Sequence, residues 1–300
     1  MLSVWAPVAQ GADCDEAAEV VAVAEGVFVR PGHLGAAFQD ENIANVGFIV
    51  GDKCVAVIDT GGSAKEGEAL RCAVRRATSV LICQVIITHI HPDHMLGSLP
   101  FKAAGAEFIG HAHLARALSL VGGFYLQRAS QQAGVTLGPE HLVVPDRTVA
   151  VGEPLELDLG GRHLRITAHP PAHTDNDLSI FDDKTETLWL SDLLFIDHIP
   201  VVDGNSKGWL AVLDTLKRQP ARRVIPGHGP PQAPWPQSAD GDERYLQTLR
   251  AELRPFIDAG GDLGAAQDKI AYPEARRWQL YDQFHKRNIA KIFTELEWED

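Results

Sequence analysis

Short runs of apolar or alternating residues, separated by turn-forming residues, recur along most of the chain and predict many short strands. Glu25-Gly26 and Gly51-Asp52 lie between the first four runs and indicate two hairpins. The predicted strands cover residues 20–23, 27–30, 46–50, 55–59, 81–87, 107–109, 142–144, 148–149, 155–157, 164–168, 178–181, 187–190 and 223–225.

Longer segments carry apolar residues three or four positions apart, which is the spacing of an amphipathic helix. They cover residues 64–78, 111–120, 124–133, 209–218 and 242–258. Strands precede helices twice along the chain, so we predict two α/β layers whose sheets face each other between helices. After a break at 232–236 the chain is helical and rich in aromatic residues. We divide it into an N-terminal segment 1–18, a main domain 19–236, and a helical extension 237–300 packed on that domain.

Composition and charge narrow the class of protein. With 45% hydrophobic and 22% charged residues, the chain is globular and long enough to bury a large core. Its formal net charge of −13 argues against nucleic acid, because phosphate binding needs clustered Lys and Arg. No apolar run approaches the roughly 20 residues of a membrane helix, so we expect a soluble body with no membrane partner.

The four cysteines are Cys14, Cys54, Cys72 and Cys83. They form no C-x-x-C pair, and three of them lie in predicted strands or a helix, so we predict small buried residues. The first thirteen residues lack a basic start and a full apolar core. Their small-residue end is nevertheless typical of the tail of a clipped secretory signal.

Candidate metal ligands follow the apolar run 81–87, which is typical of a strand buried on both faces. The loop after this run contains His89, His91, Asp93 and His94. The first two imidazoles leave an extended chain on the same side and can bind one cation. Pro92 prevents simple continuation of the strand, so the last two donors open a short helix. The sequence therefore predicts a metal site at this loop.

The segment Thr88-His-Ile-His-Pro-Asp-His94 resembles the signature of the metallo-β-lactamase-fold hydrolases. This resemblance implies an αββα four-layer sandwich with a zinc pair at one edge. It also implies three further ligands at strand ends, namely His173, Asp192 and His228. By the same resemblance, one metal is held by His89, His91 and His173, the other by Asp93, His94 and His228, and Asp192 bridges them.

Two of these positions separate branches of the superfamily. Many true β-lactamases of this fold carry Cys where this chain has Asp192, whereas thioesterases of the glyoxalase II type and other general hydrolases carry Asp. His91 stands where the diiron, oxygen-reducing branch carries a carboxylate, which argues against oxygen chemistry. Zinc is the expected metal, with two ions per chain, because imidazole-rich sites with carboxylates suit it; iron and manganese are the alternatives.

The expected reaction is hydrolysis, because water bound to a zinc pair loses a proton near neutral pH. In this hypothesis the bridging hydroxide attacks a carbonyl of an ester, thioester, lactone or lactam, and Asp93 is the catalytic proton acceptor. Two Zn²⁺ ions, two aspartates and one hydroxide leave the site near +1. We therefore expect a small, anionic substrate.

A second resemblance covers most of the chain and is closest to the quinoprotein relay system zinc metallohydrolases, also called SoxH-like proteins. It is carried by segments that include 45–51, 57–63, 172–178, 190–195, 200–204, 208–214, 226–230, 233–236, 285–288 and 295–299. The group is typically exported and associated with quinoprotein dehydrogenase or sulfur-oxidation systems. We therefore expect a periplasmic or secreted protein serving such a system, with the cytoplasm as the alternative location.

Two other functions are kept open: a true β-lactamase, and a non-catalytic metal- or cofactor-handling protein serving a quinoprotein. We expect residues 31–45, 199–203 and the helical tail to line the pocket. Residues 31–45 are either a substrate flap or a packed surface loop. His198 is a further candidate near the site. Surface or supporting positions are predicted for His33, His111, His113, His141, His163, His169 and His285.

Overall fold

The structure is a computed structural model that describes residue 14 and residues 16–299. Its strands are β1 (Val21–Ala24), β2 (Val27–Arg30), β3 (Val46–Val50), β4 (Val55–Ile58), β5 (Ile82–Ile86), β6 (Glu107–His111), β7 (Arg147–Val149), β8 (Leu155–Asp158), β9 (His163–Ala168), β10 (Leu178–Asp182), β11 (Thr187–Phe195) and β12 (Arg223–His228). Most of the predicted N-terminal segment 1–18 lies outside the described residues.

The helices alternate with these strands and then form the end of the chain. They are α1 (Ala64–Ala77), α2 (Pro92–Met95), α3 (Leu99–Ala103), α4 (Leu114–Ala133), α5 (Ser206–Lys217), α6 (Asp240–Asp258), α7 (Leu263–Lys269) and α8 (Tyr281–Glu297). Single 3₁₀ turns occupy Pro139–His141, Gln237–Ala239 and Tyr272–Arg276. None of the helices in the described part of the chain has the length and apolar composition of a membrane span.

The strands form two sheets. The first has the order β1-β2-β3-β4-β5-β6-β7, and the second has the order β12-β11-β10-β9-β8. Pairing is antiparallel at the β1 to β4 end of the first sheet and parallel from β4 to β7, while β11 and β12 are the parallel pair of the second sheet. Parallel strands bring their carboxyl ends to one edge, which is where the candidate ligands lie.

Three apolar clusters define four layers. The central cluster joins the facing sides of the two sheets and includes Ile58, Ile86, Ile180 and Trp189. A second cluster fills the space between the first sheet and helices α1, α3 and α4. The third lies between the second sheet and helices α5, α6, α7 and α8. The predicted αββα sandwich with a helical C-terminal region is confirmed.

The C-terminal helices belong to the outer layer of the second sheet. Helix α8 buries Ile289, Ile292 and Leu296 in the same cluster as strand residues Leu188 and Val224. Full burial of each such aliphatic side chain contributes about 2 kcal/mol. This packing fixes the end of the chain beside the sheet edge that carries the candidate ligands.

Helix α4 and the segment after it differ from the sequence prediction. Two helices were expected, at 111–120 and 124–133, but the structure contains one helix through Gly122 and Gly123. A Cβ atom on Gly122 would lie 2.6 Å from Leu142 Cδ1, so this glycine permits a close contact that offsets its low helix propensity. The predicted strand 142–144 is wrong, because Leu142 packs on α4 and pairs with no strand.

Strand β11 is longer than predicted. The expected strand 187–190 continues to Phe195, and Ser191 interrupts its pairing register with φ 48°. All nine residues of this strand are buried, so an apolar pattern that seemed to end at Leu190 resumes after the Ser-Asp pair. Asp192 therefore lies within a kinked strand and not at the end of one.

The prediction of small buried residues holds for Cys54 and Cys72, but it missed that all four cysteines are paired. Cys14 and Cys72 have Cα atoms 5.3 Å apart, and Cys54 and Cys83 have Cα atoms 5.7 Å apart; each pair forms a disulfide. The parallel pairing of β4 with β5 brings the second pair together. Sequence separations of 58 and 29 residues concealed both pairs from any local motif.

Candidate metal centre

The first four candidate ligands lie where β5 leaves the sheet. His91 has extended backbone and is followed by Pro92 at the first position of α2, where its missing amide hydrogen has no cost. This turn points the side chains before and after it into one space. His89 and His94 have ring centroids 4.4 Å apart, and His89 and His91 are 4.8 Å apart.

The other three candidate ligands come from the second half of the chain. His173 lies between β9 and β10, Asp192 within β11, and His228 at the end of β12. Hydrogen bonds join the two halves at this edge: the Leu178 amide donates to the Thr88 carbonyl at 2.8 Å, and Asn45 Nδ2 donates to the Pro226 carbonyl at 2.9 Å. The sheet edges therefore bring separated parts of the sequence to one place.

The structure brings all seven predicted ligands together in two groups. The first group is His89, His91, His173 and Asp192, and the second group is Asp93, His94 and His228. Within each group, one ligand atom per residue lies within 4.8 Å of every other. Asp192 reaches both groups: Oδ2 is 3.4 Å from His173 Nε2 and 3.5 Å from His228 Nε2, and Oδ1 is 3.0 Å from His94 Nε2.

Each of the five histidines has one ring nitrogen held outside the cluster, while the other faces its centre. The outer partners are Thr88 Oγ1 for His89 (3.0 Å), Asp203 Oδ2 for His91 (2.8 Å), Asp59 Oδ2 for His94 (2.8 Å), the Val201 carbonyl for His173 (2.7 Å) and the Ile43 carbonyl for His228 (3.1 Å). Metal-binding histidines show this arrangement, because the outer hydrogen bond fixes the tautomer and the ring orientation.

The atoms facing the centre fit metal ions. Among the described residues, His89 Nε2, His94 Nε2 and Asp192 Oδ1 are buried with no hydrogen-bond partner. Such atoms are costly unless something else satisfies them. Ligand atoms about 2.1 Å from a tetrahedral zinc ion lie roughly 3.4 Å from one another. The contacts of Asp192 with the histidines, from 3.0 to 3.6 Å, match that spacing.

The cluster is electrostatically prepared for a cation. Burial raises the pKa of Asp93, but the neighbouring His94 and His228 outweigh burial and lower it to about 2. Burial lowers the pKa of His228, but Asp192 and Asp93 outweigh burial and raise it to about 9. Burial and the charge of His91 lower the pKa of His173 to about 3. The carboxylates are therefore ionised and favour protonation of neighbouring histidines such as His228. A bound metal ion would replace those protons.

Residues 40–228 match the family model described as the metallo-β-lactamase superfamily, which covers more than half of the chain. The chain belongs to the metallo-β-lactamase superfamily. A sequence comparison with curated proteins gives no match. Membership of this superfamily indicates a hydrolase, and the chain has His and Asp groups able to bind metal.

Three solved structures illustrate the likeness to other superfamily members. A metallo-β-lactamase from Pontibacter korlensis has a TM-score of 0.62 and 17% identity, covering 76% of this chain and 98% of that chain. The inverting sec-alkylsulfatase Pisa1 from Pseudomonas sp. has a TM-score of 0.68 and 17% identity, covering 93% of this chain and 50% of that chain. DIM-1 metallo-β-lactamase, exposed to ceftazidime, has a TM-score of 0.60 and 14% identity, covering 77% and 97%. Identities this low show the fold alone.

Asp59 is a buried residue that holds a ligand histidine in place, and the predicted set of site residues omits it. Its Oδ2 is 2.8 Å from His94 Nδ1, and its Oδ1 accepts the amide hydrogen of Thr88 at 2.8 Å. Asp59 and Ser191 both have positive φ, at 57° and 48°, in a region that non-glycine residues seldom occupy. The available signal was an aspartate directly after the apolar run of β4.

Gly227 and Asp203 are two further residues that position candidate ligands. A Cβ atom on Gly227 would lie 1.8 Å from Asp192 Oδ1, so only glycine leaves room for that carboxylate beside His228. Asp203, expected only as a residue lining the pocket, is hydrogen-bonded to His91 Nε2. Nothing in its sequence spacing relates it to a ligand more than a hundred residues earlier.

The remaining histidines lie mostly outside the centre. His198 packs against His228, with ring centroids 4.9 Å apart, and its Nδ1 bonds the Ile199 carbonyl. His111, His169 and His285, for which surface or supporting positions were predicted, are all buried and so do not lie at the surface. Each has a hydrogen-bond partner: the His169 carbonyl for His111, Ser179 Oγ for His169 and the Ile270 carbonyl for His285.

A cavity of about 390 Å³ opens directly onto the candidate metal centre. Its walls come from the loop 31–45, helix α4, the segment after β11 and helix α8. Phe38, Phe124, Tyr125 and Phe284 give it an apolar and aromatic surface. Arg128 also lines it, with its guanidinium 6.0 Å from the centre of the Phe38 ring.

Proposed function

We propose that this protein is a dinuclear zinc hydrolase that cleaves an ester, thioester, lactone or lactam of a small anionic substrate. The observation that carries the proposal is the convergence of seven side chains whose five imidazoles are each fixed from outside. One zinc would be held by His89, His91 and His173, and the other by Asp93, His94 and His228. Asp192 would contact both, since its two oxygens face both groups.

The bound metals supply a Lewis acid and a water that ionises near neutral pH. The chain itself positions the reacting groups. Asp93 is buried but lines the cavity, and its lowered pKa keeps it ionised, so we assign it as the acceptor of the proton from the attacking water. Asp192 is buried deeper and keeps a negative charge between the two groups.

The cavity supports a substrate with an apolar body and an anionic group. Aromatic side chains from the loop 31–45, α4 and α8 offer the apolar surface, and the exposed Arg128 offers a cation at its edge. Arg287, the second cation of the cavity, is already paired with Asp203. The position of the loop 31–45 on the cavity wall supports its role as a substrate loop.

We also propose that the chain is a SoxH-like hydrolase, exported and associated with a quinoprotein system. Two paired sets of cysteines support export, because disulfides persist in oxidising compartments and are rare in reducing ones. The segments quoted for the subfamily support the assignment by resemblance. Purification from a periplasmic extract, with both disulfides intact by mass spectrometry, is the expected result.

The test of the hydrolase combines metal analysis with a substrate panel. Purified protein is assayed for zinc, iron and manganese and then offered anionic and neutral esters, thioesters, lactones, a chromogenic cephalosporin and a secondary alkyl sulfate. We expect about two zinc ions per chain and hydrolysis of anionic carbonyl substrates. Turnover of the cephalosporin alone would narrow the reaction to lactam hydrolysis, and turnover of the sulfate ester alone would assign another reaction to the same centre.

Ligand variants connect the metal with the activity. Asp192→Ala and His173→Ala should lower zinc content and reduce kcat by at least about a thousandfold, since each removes a proposed ligand of the metals that would activate the water. His163→Ala is the matched control, because His163 is an exposed histidine at the start of β9. Wild-type protein that binds no zinc, or full activity in either ligand variant, would contradict the proposal.

A further inference from the structure

Two segments singled out in the sequence lie together beside the metal centre. The 199–204 loop, defined as residues 199–204, connects β11 with α5, and residues 285–288 form part of α8. Neither segment contains a candidate metal ligand. Both are nevertheless fixed by hydrogen bonds, and these bonds link the C-terminal helix with two of the ligand histidines.

The 199–204 loop holds two of the three ligand histidines of the first group, His91 and His173. Asp203 Oδ2 is 2.8 Å from His91 Nε2, and the Val201 carbonyl is 2.7 Å from His173 Nδ1. The Asp203 amide donates to the His173 carbonyl at 3.0 Å. A Cβ atom on Gly204 would lie 2.4 Å from the Ala172 carbonyl oxygen, so the loop backbone packs directly on the ligand segment.

Helix α8 in turn holds the 199–204 loop. Asn288 is fully buried; its Oδ1 accepts the Val202 amide hydrogen at 3.0 Å, and its Nδ2 donates to the Pro200 carbonyl at 2.7 Å. Arg287 is paired with Asp203 Oδ1, on the carboxylate whose other oxygen contacts His91. The side chain of Arg287 is therefore two contacts away from a metal ligand.

The second group is held from a different direction. His94 Nδ1 bonds Asp59 and His228 Nδ1 bonds the Ile43 carbonyl, and both partners belong to the first half of the chain. No outer hydrogen bond of a histidine in that group comes from the 199–204 loop. A change in α8 should therefore affect the two groups unequally.

We propose that Asp203 is a positioning residue for His91 and that helix α8, through Arg287 and Asn288, sets how tightly the first group binds its metal. The inference rests on the proposed zinc ligands. Asp203 accepts the Nε2 proton of His91, which leaves Nδ1 free to face His173 Nε2 at 2.9 Å. Arg287 restrains the carboxylate in the orientation that makes this contact. Loss of such an outer partner lowers metal affinity by about 10- to 100-fold.

The test measures zinc affinity on full-length apo protein by competition with a chromophoric chelator, with bound zinc counted by mass spectrometry. Wild-type protein should bind two zinc ions. In Asp203→Ala one of the two affinities should fall by about 10- to 100-fold, and in Arg287→Gln the same affinity should fall by about threefold. Asp203→Asn keeps an acceptor for His91, so its loss of zinc affinity should lie between the losses in these two variants.

Lys286→Gln is the matched control, because Lys286 precedes Arg287 on α8, is similarly exposed and is paired only with Asp268 on the surface. It should leave both zinc affinities unchanged. Thermal unfolding of every apo variant checks that the fold is retained. Arg287→Gln keeps the test usable if Asp203→Ala does not fold.

Single-site backgrounds identify the affected group. In His228→Ala, which weakens the second group, Asp203→Ala should lower the remaining zinc affinity; in His173→Ala, which weakens the first, it should not. Two unchanged affinities, or equal losses at both groups, would overturn the inference while wild-type protein still binds two zinc ions. Wild-type protein that binds no zinc would instead overturn the proposed function.

Discussion

The two groups of candidate ligands have similar chemistry but are supported by different parts of the molecule. His94 of the second group is held by Asp59, which is completely buried at the end of β4 and also accepts two hydrogen bonds from Thr88. His91 of the first group is held by Asp203, whose side chain is 26% exposed and whose partner Arg287 is 55% exposed. One support lies in the sheet core and the other at the periphery.

This difference indicates in which group of ligands the stability of the fold and the metal affinity are coupled. A support in the core shares hydrogen bonds with the sheet, so its removal should affect folding and metal binding together. A support on a loop fixed by the last helix has fewer shared contacts and opens more easily. The second group should therefore be a permanent part of the fold. In the first group the core holds only His89, through Thr88, so the positions of His91 and His173 should be adjustable through α8.

The largest effect is expected for Asp59→Ala. It removes the buried carboxylate that the Thr88 amide, the Thr88 hydroxyl and His94 Nδ1 contact, and only the last two keep another partner, the Ser191 hydroxyl. A buried group left unpaired costs about 1–3 kcal/mol. We expect a loss of about 3 kcal/mol in the free energy of unfolding, together with loss of zinc from the second group. Urea denaturation and zinc counting measure both.

The control for this prediction is Asp52→Ala, which removes an exposed aspartate from the hairpin between β3 and β4. It should change the free energy of unfolding by less than about 0.5 kcal/mol. If Asp59→Ala lost zinc from the second group without any loss of stability, Asp59 would position His94 without stabilising the fold, contrary to the prediction.

The sequence predicted the sheets well because their signals are local. Apolar runs of β2, β3 and β10 agree with the observed strands to within a residue or so at each end. The failures lie where a tertiary contact outweighs local preference. Gly122 continues α4 because it packs on Leu142, and β11 continues past its polar pair because Ser191 adopts a left-handed conformation there.

The ligands were more predictable than their supports. Four of them share one short motif, and the other three have flanking residues that resemble the superfamily pattern. Asp203 and the Ile43 carbonyl carry no such signal, because a backbone oxygen has no residue preference and a loop aspartate is common. Spatial proximity alone relates Asp203 to His91, 112 positions apart.

A smaller effect is expected for Asn288→Ala, which tests the support of the first group. It leaves the Val202 amide and the Pro200 carbonyl without their buried partner, at a cost of about 2 kcal/mol in the free energy of unfolding. The zinc affinity of the first group should fall, and that of the second should remain. Chelator competition in the single-site backgrounds distinguishes the two.

Thr294→Ala is the control for this variant, because Thr294 lies on the exposed side of α8 and its hydroxyl bonds only the Ala290 carbonyl. It should change neither zinc affinity. An equal loss of affinity in both groups after Asn288→Ala would mean that α8 supports the whole centre, and the distinction between core and peripheral supports would fail.

The smallest effect concerns ionic strength. The pair Arg287–Asp203 is partly exposed and is screened by salt, whereas the contact of Asp59 with His94 is fully buried. Raising sodium nitrate from about 50 mM to about 500 mM should weaken zinc binding by the first group about twofold beyond any change in the second. In Arg287→Gln this extra dependence should disappear, since the screened pair is absent. If the extra salt dependence remained in that variant, it would arise from the charge of the centre itself and not from α8.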